Sequence, residues 1–243
     1  MNRHLAVVAL GDNKLEAKLS IDSHSEKEME ILGVDGRNIV KLKSKIIKDS
    51  AERTTNFGGE KKTETDKKEL QGETVLSELK MKTWTHVLDR ADPTPKQEKE
   101  LKNFDEPEND DDLYPAEKVK VGHSWNIEPS AFKKLLGSKF SDAKGKGKSK
   151  FIKVEKVGEE VCAVIESEID LTGKIKDDDG NDITVEIKGK IINHRSIALG
   201  MDIKFTIEGD AVFTGKIDEN GQKADVRFVG KISSSGTATV KKR

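Results

Sequence analysis

The clearest pattern in the chain is the alternation of apolar and polar residues between Phe151 and Val240. A period of two places every second side chain on one face of a strand, so this pattern predicts sheets with one buried and one solvated face. The predicted inward residues form four runs: Val161, Ala163, Ile165, Ile169, Leu171 and Ile175; Ile183, Val185, Ile187 and Ile191; Ile197, Leu199, Met201, Ile203, Phe205 and Ile207; and Ala224, Val226, Phe228 and Ile232.

A repeated Gly-Lys-Ile motif divides these runs into two similar hairpins. Its glycines are Gly173, Gly189, Gly215 and Gly230, and each lies on the predicted apolar face of its strand. Strands of about 15 residues would span about 50 Å, and glycine inside a strand is typical of a bend or of close backbone approach. The sequence therefore predicts a long, curved antiparallel sheet, either a half-barrel or a barrel.

Turn-forming residues separate the strands of this region. The segment 177–182 is rich in aspartate around Gly180, and Asn220-Gly221 is the preferred pair for a type I′ hairpin turn. Shorter strands are predicted earlier in the chain, at Leu5–Ala9, Lys14–Ile21, Glu28–Leu32, Asn38–Ile47, Thr74–Leu79 and Thr83–Leu88. Between them, Ser50–Lys68 is almost free of apolar residues, which favours a solvated strand edge or a mobile loop.

Two short helices complete the predicted mainly β fold. Thr94 is a suitable N-cap, Pro95 suits the first helical position, and Gln97 completes a capping box, so a helix is predicted to about Phe104. A second helix is predicted from Pro129 to about Leu136, with Gly137 as its C′ residue.

An acidic segment at residues 105–112 repels itself and contains proline, which is typical of an exposed linker. It predicts a β-rich half with one helix at 1–104 and a curved antiparallel half at 113–243. One continuous domain remains the alternative.

Composition excludes several classes of protein. Lys and Arg number 44 against 45 Asp and Glu, so no net field attracts nucleic acid or an anionic membrane. Aromatic residues are only 5% of the chain, too few for the stacking platforms of single-strand binders. The single cysteine excludes an intrachain disulfide. Leu5–Leu10 is shorter than the apolar region of a signal peptide, and no run is long enough for a transmembrane span.

No constellation in the sequence points to catalysis, and we expect neither a metal nor a cofactor. The histidines are scattered, and no nucleophile elbow, phosphate-binding glycine loop or dinucleotide fingerprint is present. Cys162 is predicted on the polar face of its strand, where nearby glutamates would raise the pKa of the thiol. The acidic turn at 177–182 has glycine at the wrong place for a calcium loop of the EF-hand type.

The segment Tyr114–Trp125 carries a motif in which Pro115, Val119, Val121, Gly122 and Trp125 are the key positions. It resembles the Pro-x-x-x-Val-x-Val-Gly-x-x-Trp signature of uncharacterised exported bacterial β proteins. The resemblance implies long glycine-punctuated strands after the motif and a cell-envelope address, either periplasmic or extracellular. It implies no particular biochemical role. The motif also suggests that Trp125 closes one end of a curved sheet.

These features predict a non-enzymatic binding or scaffold module of the cell envelope whose partner is an envelope component or an apolar ligand. One alternative is a carrier of a lipid or acyl chain on the concave face of the sheet; a second is a hydrolase of envelope polymers. The helix at 129–136 decides between scaffold and carrier, because its apolar residues would fill the face if they dock there. The predicted ligand-facing residues are Leu199, Met201, Ile203, Phe205, Phe213, Phe228 and Trp125.

Overall fold

Antiparallel strands dominate the computed structural model of the chain, which confirms the mainly β prediction. The structure describes residues 2–10, 13–35, 38–57, 59–81, 83–90, 92–104, 110–136, 140–176, 180–219 and 222–239. The strands are β1 (Asn2–Leu10), β2 (Asn13–Asp35), β3 (Asn38–Phe57), β4 (Glu60–Lys67), β5 (Thr74–Lys80), β6 (Thr83–Leu88), β7 (Ser124–Asn126), β8 (Ser141–Val157), β9 (Glu160–Lys176), β10 (Asp182–Ser196), β11 (Asp202–Glu219) and β12 (Gln222–Thr237). The α-helices are α1 (Pro95–Leu101) and α2 (Phe132–Leu136), and 3₁₀ turns occupy Asp110–Leu113 and Pro129–Ala131.

The chain forms two compact units. The larger unit contains Met1–Ser20, Thr55–Lys62 and Asp110–Arg243, and the smaller unit contains Ile21–Thr54 and Thr63–Asn109. One division between them, at 109/110, falls within the acidic segment 105–112.

The sheet of the larger unit is a series of neighbouring antiparallel strands. Its order is β1, β12, β11, β10, β9, β8 and β7, with the first residues of β2 beside β1. The ladder between β1 and β12 joins the two ends of the chain, with Asn2 opposite Ser233 and Ala6 opposite Val229. In the described residues this order has two ends and is not closed into a barrel, which removes the barrel alternative.

The two glycine-punctuated hairpins share one register. Gly173 lies opposite Val185 in the β9–β10 ladder, and Gly215 lies opposite Val226 in the β11–β12 ladder. All four glycines of the repeated motif lie in strands, as predicted. Shifts of register at 141/144, 151/153 and 194/195 mark irregularities in β8 and β10, and bulges of this kind bend a strand.

At Gly173 the absent side chain makes room for the residues that cover the sheet. A Cβ at Gly173 would lie 2.8 Å from Phe140 Cδ1 and 2.9 Å from Leu136 Cδ1. At Gly147 on β8, a Cβ would lie 2.7 Å from Ile127 Cδ1. These glycines therefore allow the covering segment to approach the sheet.

The segment that follows Asp110 covers the apolar face of β8, β9 and β10. Ala131 and Phe132 are buried with Ile169, Leu171 and Ile191 in one cluster. Leu135 and Leu136 of α2 pack against the same cluster. The apolar residues of the segment 129–136 therefore fill the apolar face of the sheet at this point.

The strands of the smaller unit lie in the order β6, β5, β3 and β2, and a fifth strand, β4, also pairs with β3. One face is polar, where Lys41 and Lys43 of β3 pair with Glu78 and Asp89. The other face carries the core, whose buried members are Ile46, Leu70, Val75, Leu88 and Leu101. The unit therefore separates a solvated face from an apolar face that α1 covers through Leu101.

The capping box predicted for α1 is present. The Gln97 backbone amide donates to Thr94 Oγ1 at 3.3 Å, and the Thr94 amide donates to Gln97 Oε1 at 3.0 Å. The helix ends at Leu101, before the predicted end near Phe104. The second predicted helix begins as a 3₁₀ turn at Pro129 and becomes α-helical at Phe132.

Several predicted boundaries differ from the structure. The strand predicted at Glu28–Leu32 is part of β2. The polar segment Ser50–Lys68 continues β3 and forms the exposed β4, which agrees with the predicted solvated strand edge rather than with the loop alternative. The predicted run from Ile197 to Ile207 is wrong at its start, because residues 197–201 form a turn between β10 and β11. Gly200 has a φ of +66° there, and its amide donates to the Ser196 carbonyl at 2.9 Å.

Some predictions fall outside the described residues. They are the aspartates of the turn at 177–179, the Asn220-Gly221 pair, the C′ residue Gly137, and residues 105–109 of the linker.

Candidate functional site

An open groove in the smaller unit is the candidate binding site. It has a volume of about 460 Å³ and lies between β6 and α1. Eight residues line it: Trp84, Thr85, His86, Pro93, Glu98, Leu101, Lys102 and Phe104.

Three aromatic rings form one wall of the groove. The rings of Trp84 and His86 are stacked, with centroids 6.5 Å apart and an interplanar angle of 11°. Phe104, three residues beyond α1, tilts against His86 at 5.4 Å and 58°. All three side chains are only half-buried, so the wall presents flat apolar surface to solvent.

One ring of this wall, that of His86, is held from beneath by a hydrogen bond. Trp84, His86 and Leu88 lie on the apolar face of β6 because side chains alternate along a strand. Ser77 of β5 is opposite His86 and fully buried, and its Oγ is hydrogen-bonded to His86 Nδ1 at 2.8 Å. This bond holds the imidazole ring in the plane that stacks on Trp84.

The rim of the groove is charged. Glu98 and Lys102 are exposed on the α1 side, and Lys27 Nζ lies 5.1 Å from the centroid of the Phe104 ring. An ammonium group over an aromatic face is attracted by the ring quadrupole. The groove thus combines an apolar floor with polar groups of both signs at its edge.

The seven predicted ligand-facing residues are spread over the larger unit. Phe213 and Phe228 are opposite each other across the β11–β12 ladder and are half-buried. Phe205 lies opposite Gly236, and a Cβ at Gly236 would collide with its ring. Ile203 is buried, with 4% of its surface exposed.

Leu199 and Met201 do not join this set on a strand. Both lie in the turn between β10 and β11, and Leu199 is 40% exposed. The Leu199 amide donates to Ser196 Oγ at 3.2 Å. The prediction that both residues face a ligand from a strand is therefore wrong. The backbone turns at Gly200, and the alternation of a strand ends there.

Trp125 has a packing role in the structure. Its indole Nε1 donates to the Leu113 carbonyl at 2.9 Å, and its ring stacks on His123 at 6.1 Å. It lies on β7 opposite Ser149. The side chain therefore fastens the 3₁₀ turn Asp110–Leu113 to the strand that carries it.

A partly buried polar network lies beside this segment. Tyr114 Oη donates toward the carboxylate of Asp202, 2.9 Å from Oδ2, and the amide of Asn193 donates to Tyr114 Oη at 2.9 Å. The Arg195 guanidinium stacks over the Tyr114 ring at 4.1 Å. Burial, followed by the charge of Asp202, raises the pKa of the Tyr114 hydroxyl well above its usual value. Tyr114 is therefore a neutral donor that ties residues 110–136 to β10 and β11.

Cys162 is buried, which corrects its predicted place on a solvated face. It lies between Glu155 of β8 and Ser196 of β10 in adjacent ladders. Burial, with a further contribution from the charge of Glu160, raises the pKa of the thiol. The predicted direction of the shift holds, although burial contributes more than the nearby acids.

Two further polar contacts surround the thiol. His194 Nε2 is 2.8 Å from Glu155 Oε1, and Ser196 Oγ donates to Glu160 Oε2 at 2.8 Å. His194 and Ser196 bind different carboxylates, so these contacts do not form a nucleophile–base–acid chain. Within the described ranges, no group of three or more His, Cys, Asp or Glu side chains is arranged to hold a metal ion.

Among the described residues, the carboxyl groups with a shifted pKa all titrate at lower pH than usual. The pKa values of Glu78, Asp89 and Glu155 are lowered, in each case chiefly because a lysine ammonium donates a hydrogen bond to the carboxylate. Within the same described part of the chain, no helix is both long and apolar enough to cross a membrane.

Sequence reasoning did not select the groove residues. Trp84, His86 and Phe104 lie on two elements that only tertiary packing brings together. One signal was available: β6 has no Asp, Glu, Lys or Arg, although 37% of the chain is charged.

Comparisons of the chain with protein-family models, with curated proteins and with solved structures gave no match.

Proposed function

We propose that the protein is a non-enzymatic binding module that holds its ligand in the aromatic groove of the smaller unit. The observation that carries the proposal is the half-exposed wall of Trp84, His86 and Phe104 around a volume of about 460 Å³. Aromatic rings are scarce in this chain, and a stacked pair that is left open to solvent, with one ring held by a hydrogen bond to buried Ser77, is suited to ligand contact.

The packing of the larger unit supports a scaffold role for it. Ala131 and Phe132, with 0% and 2% of their surfaces exposed, fill the apolar face over β9 and β10. A carrier needs an unfilled apolar volume. The carrier alternative keeps one supporting observation, the half-buried pair Phe213 and Phe228 on neighbouring strands. In the part of the chain that the structure describes, no specific observation favours the hydrolase alternative, which expects a carboxyl group with a raised pKa.

Native mass spectrometry of the protein isolated from cells tests the binding proposal. We expect a bound component that is retained by the wild type and lost in Trp84→Ala, because the mutation removes the largest ring of the groove. Val87→Ala is the matched control, since Val87 is on the opposite face of β6 and is 54% exposed. A component that remains bound to Trp84→Ala would contradict the groove as the site.

The same spectra distinguish the carrier. A lipid that is retained by Trp84→Ala and lost in Phe213→Ala would favour an apolar ligand on the sheet of the larger unit instead.

A cell-envelope address is part of the proposal and is supported by the resemblance of Pro115–Trp125 to exported β proteins. Fractionation of cells that express the natural gene product tests it. We expect the protein in the envelope or periplasmic fraction, and recovery with cytoplasmic markers would refute the address.

A further inference from the structure

We infer that the ligand of the groove is an extended peptide segment that adds to the open edge of β6 and places an apolar side chain against Trp84. The inference rests on the proposed function of the groove and names the class of its ligand. Addition of a strand to a sheet edge is a general mode of peptide recognition, in which backbone hydrogen bonds give affinity and side-chain pockets give specificity.

The first observation is that β6 is an edge strand. Among the described residues it pairs with β5 alone. The register is continuous from Lys80 opposite Thr83 to Val75 opposite Leu88. Its second edge therefore presents backbone donors and acceptors that β5 does not use.

The second observation is that this edge lacks the sequence features that usually protect an edge. Natural sheets block exposed edges with lysine, proline or a bulge. β6 has the sequence TWTHVL, without charge or proline, and its ladder has no register shift. An edge without these features accepts another extended backbone.

The third observation is that the groove reaches the margin of β6. It is lined by the consecutive residues Trp84, Thr85 and His86, although side chains of neighbouring residues lie on opposite faces of a strand. The hydroxyl of Thr85 donates to the Glu78 carbonyl on β5 at 3.1 Å, away from the open edge. The groove therefore borders β6 along these three residues, with Leu101 of α1 also in its lining.

The size of the surface favours a peptide over a second copy of the chain. A strand of six residues is about 20 Å long, and a sheet is about 10 Å thick, so pairing would cover roughly 200 Å² on each partner. Stable protein–protein interfaces bury about 1,200 Å² or more in total. A short segment anchored by one side chain in the groove matches the available surface, whereas a stable dimer needs more.

The test uses the full chain and a synthetic probe. The probe is a fluorescent, capped nine-residue peptide in which threonine alternates with valine around a central phenylalanine, with a lysine at each end. We expect saturable binding by fluorescence anisotropy, together with increased hydrogen-exchange protection of the backbone amides of β6.

The decisive control is the same peptide with N-methyl groups on alternate backbone amides along one edge. It keeps every side chain and loses the donors that pair with β6, so we expect at least tenfold weaker binding. Trp84→Ala should also weaken binding at least tenfold, while Val87→Ala should bind as the wild type does.

Three other outcomes would each overturn the inference that a peptide adds to β6. Equal binding of both peptides would mean that the groove takes an apolar side chain without strand addition, which leaves the proposed function intact. No binding of either peptide, with a bound component still lost from Trp84→Ala in native spectra, would assign the groove to a ligand that is not a peptide. Protection of β6 that rises with protein concentration in the absence of peptide would identify a second copy as the occupant.

Discussion

The glycines at positions 189 and 215 belong to the same Gly-Lys-Ile motif but should respond differently to replacement by alanine. A Cβ at Gly189 would lie 2.6 Å from the backbone carbonyl oxygen of Glu208 and 3.2 Å from Gly209 Cα. These atoms belong to the neighbouring strand β11, so they move only if the strand moves. At Gly215 the nearest atoms are Ile183 Cγ1 at 3.2 Å and the Asp182 carbonyl oxygen at 3.3 Å, so a Cβ there requires a shift of only a few tenths of an ångström.

The expected magnitudes follow from two opposing effects. Overpacking in a well-packed region costs about 1–3 kcal/mol, and replacing glycine stabilises by about 0.4–1 kcal/mol through the unfolded chain. Gly189→Ala should therefore lower the free energy of unfolding by about 1–2 kcal/mol. Gly215→Ala should change it by less than about 0.5 kcal/mol, because its small steric cost is offset by the same entropic gain.

Urea unfolding followed by tryptophan fluorescence measures the difference in stability between the two variants within the larger unit. The chain has two tryptophans, of which Trp84 lies in the smaller unit and Trp125 in the larger unit. In a Trp84→Phe background, Trp125 alone reports the larger unit. If Gly189→Ala and Gly215→Ala unfold at the same urea concentration, the claim that β11 approaches Gly189 too closely to admit a Cβ is wrong.

Three further predictions follow from single contacts. Thr94→Ala removes one half of the capping box with Gln97 and should destabilise the smaller unit by about 1 kcal/mol in urea unfolding; an unchanged midpoint would contradict the role of the cap. The buried thiol of Cys162, with its raised pKa, should react with a disulfide reagent at pH 8 only after unfolding in urea, so rapid reaction of the native protein would contradict its burial. The Asp89 carboxylate has a lowered pKa because Lys43 Nζ donates to it at 2.7 Å, so its contribution to stability is present above the unfolded-state pKa and is lost as pH falls through the folded-state pKa. Asp89→Asn should make stability less dependent on pH in that acidic range, and an identical pH profile would argue against the ion pair.

The features that could be predicted from the sequence are those with a local cause. The capping box of α1 depends on residues three positions apart, and both of its hydrogen bonds are present. Alternation predicted the buried Ile165, Ile169 and Leu171, because a period of two is imposed by the strand itself. The repeated motif likewise predicted two hairpins, which have equivalent registers.

Other features depend on packing between distant residues and left no local signal. The alternation around residue 162 predicts an exposed thiol, but Cys162 is buried between neighbouring strands while Val161 is 43% exposed. Periodicity also continues through 197–201, where the backbone turns at Gly200. The candidate groove was not predicted for the same reason, because its walls come from β6 and from residues after α1.

The ladder between β1 and β12 has a consequence for the order of events during synthesis. β1 leaves the ribosome before its partner on β12, because Ala6 precedes its opposite residue Val229 by 229 − 6 = 223 positions. At about 5–20 residues per second, β1 waits on the order of ten seconds or more for that partner. The residues of the smaller unit, all before position 110, are available much earlier. We therefore expect the smaller unit to fold on the nascent chain while β1 still lacks this neighbour, so that the edge of β1 that pairs with β12 is exposed during that interval.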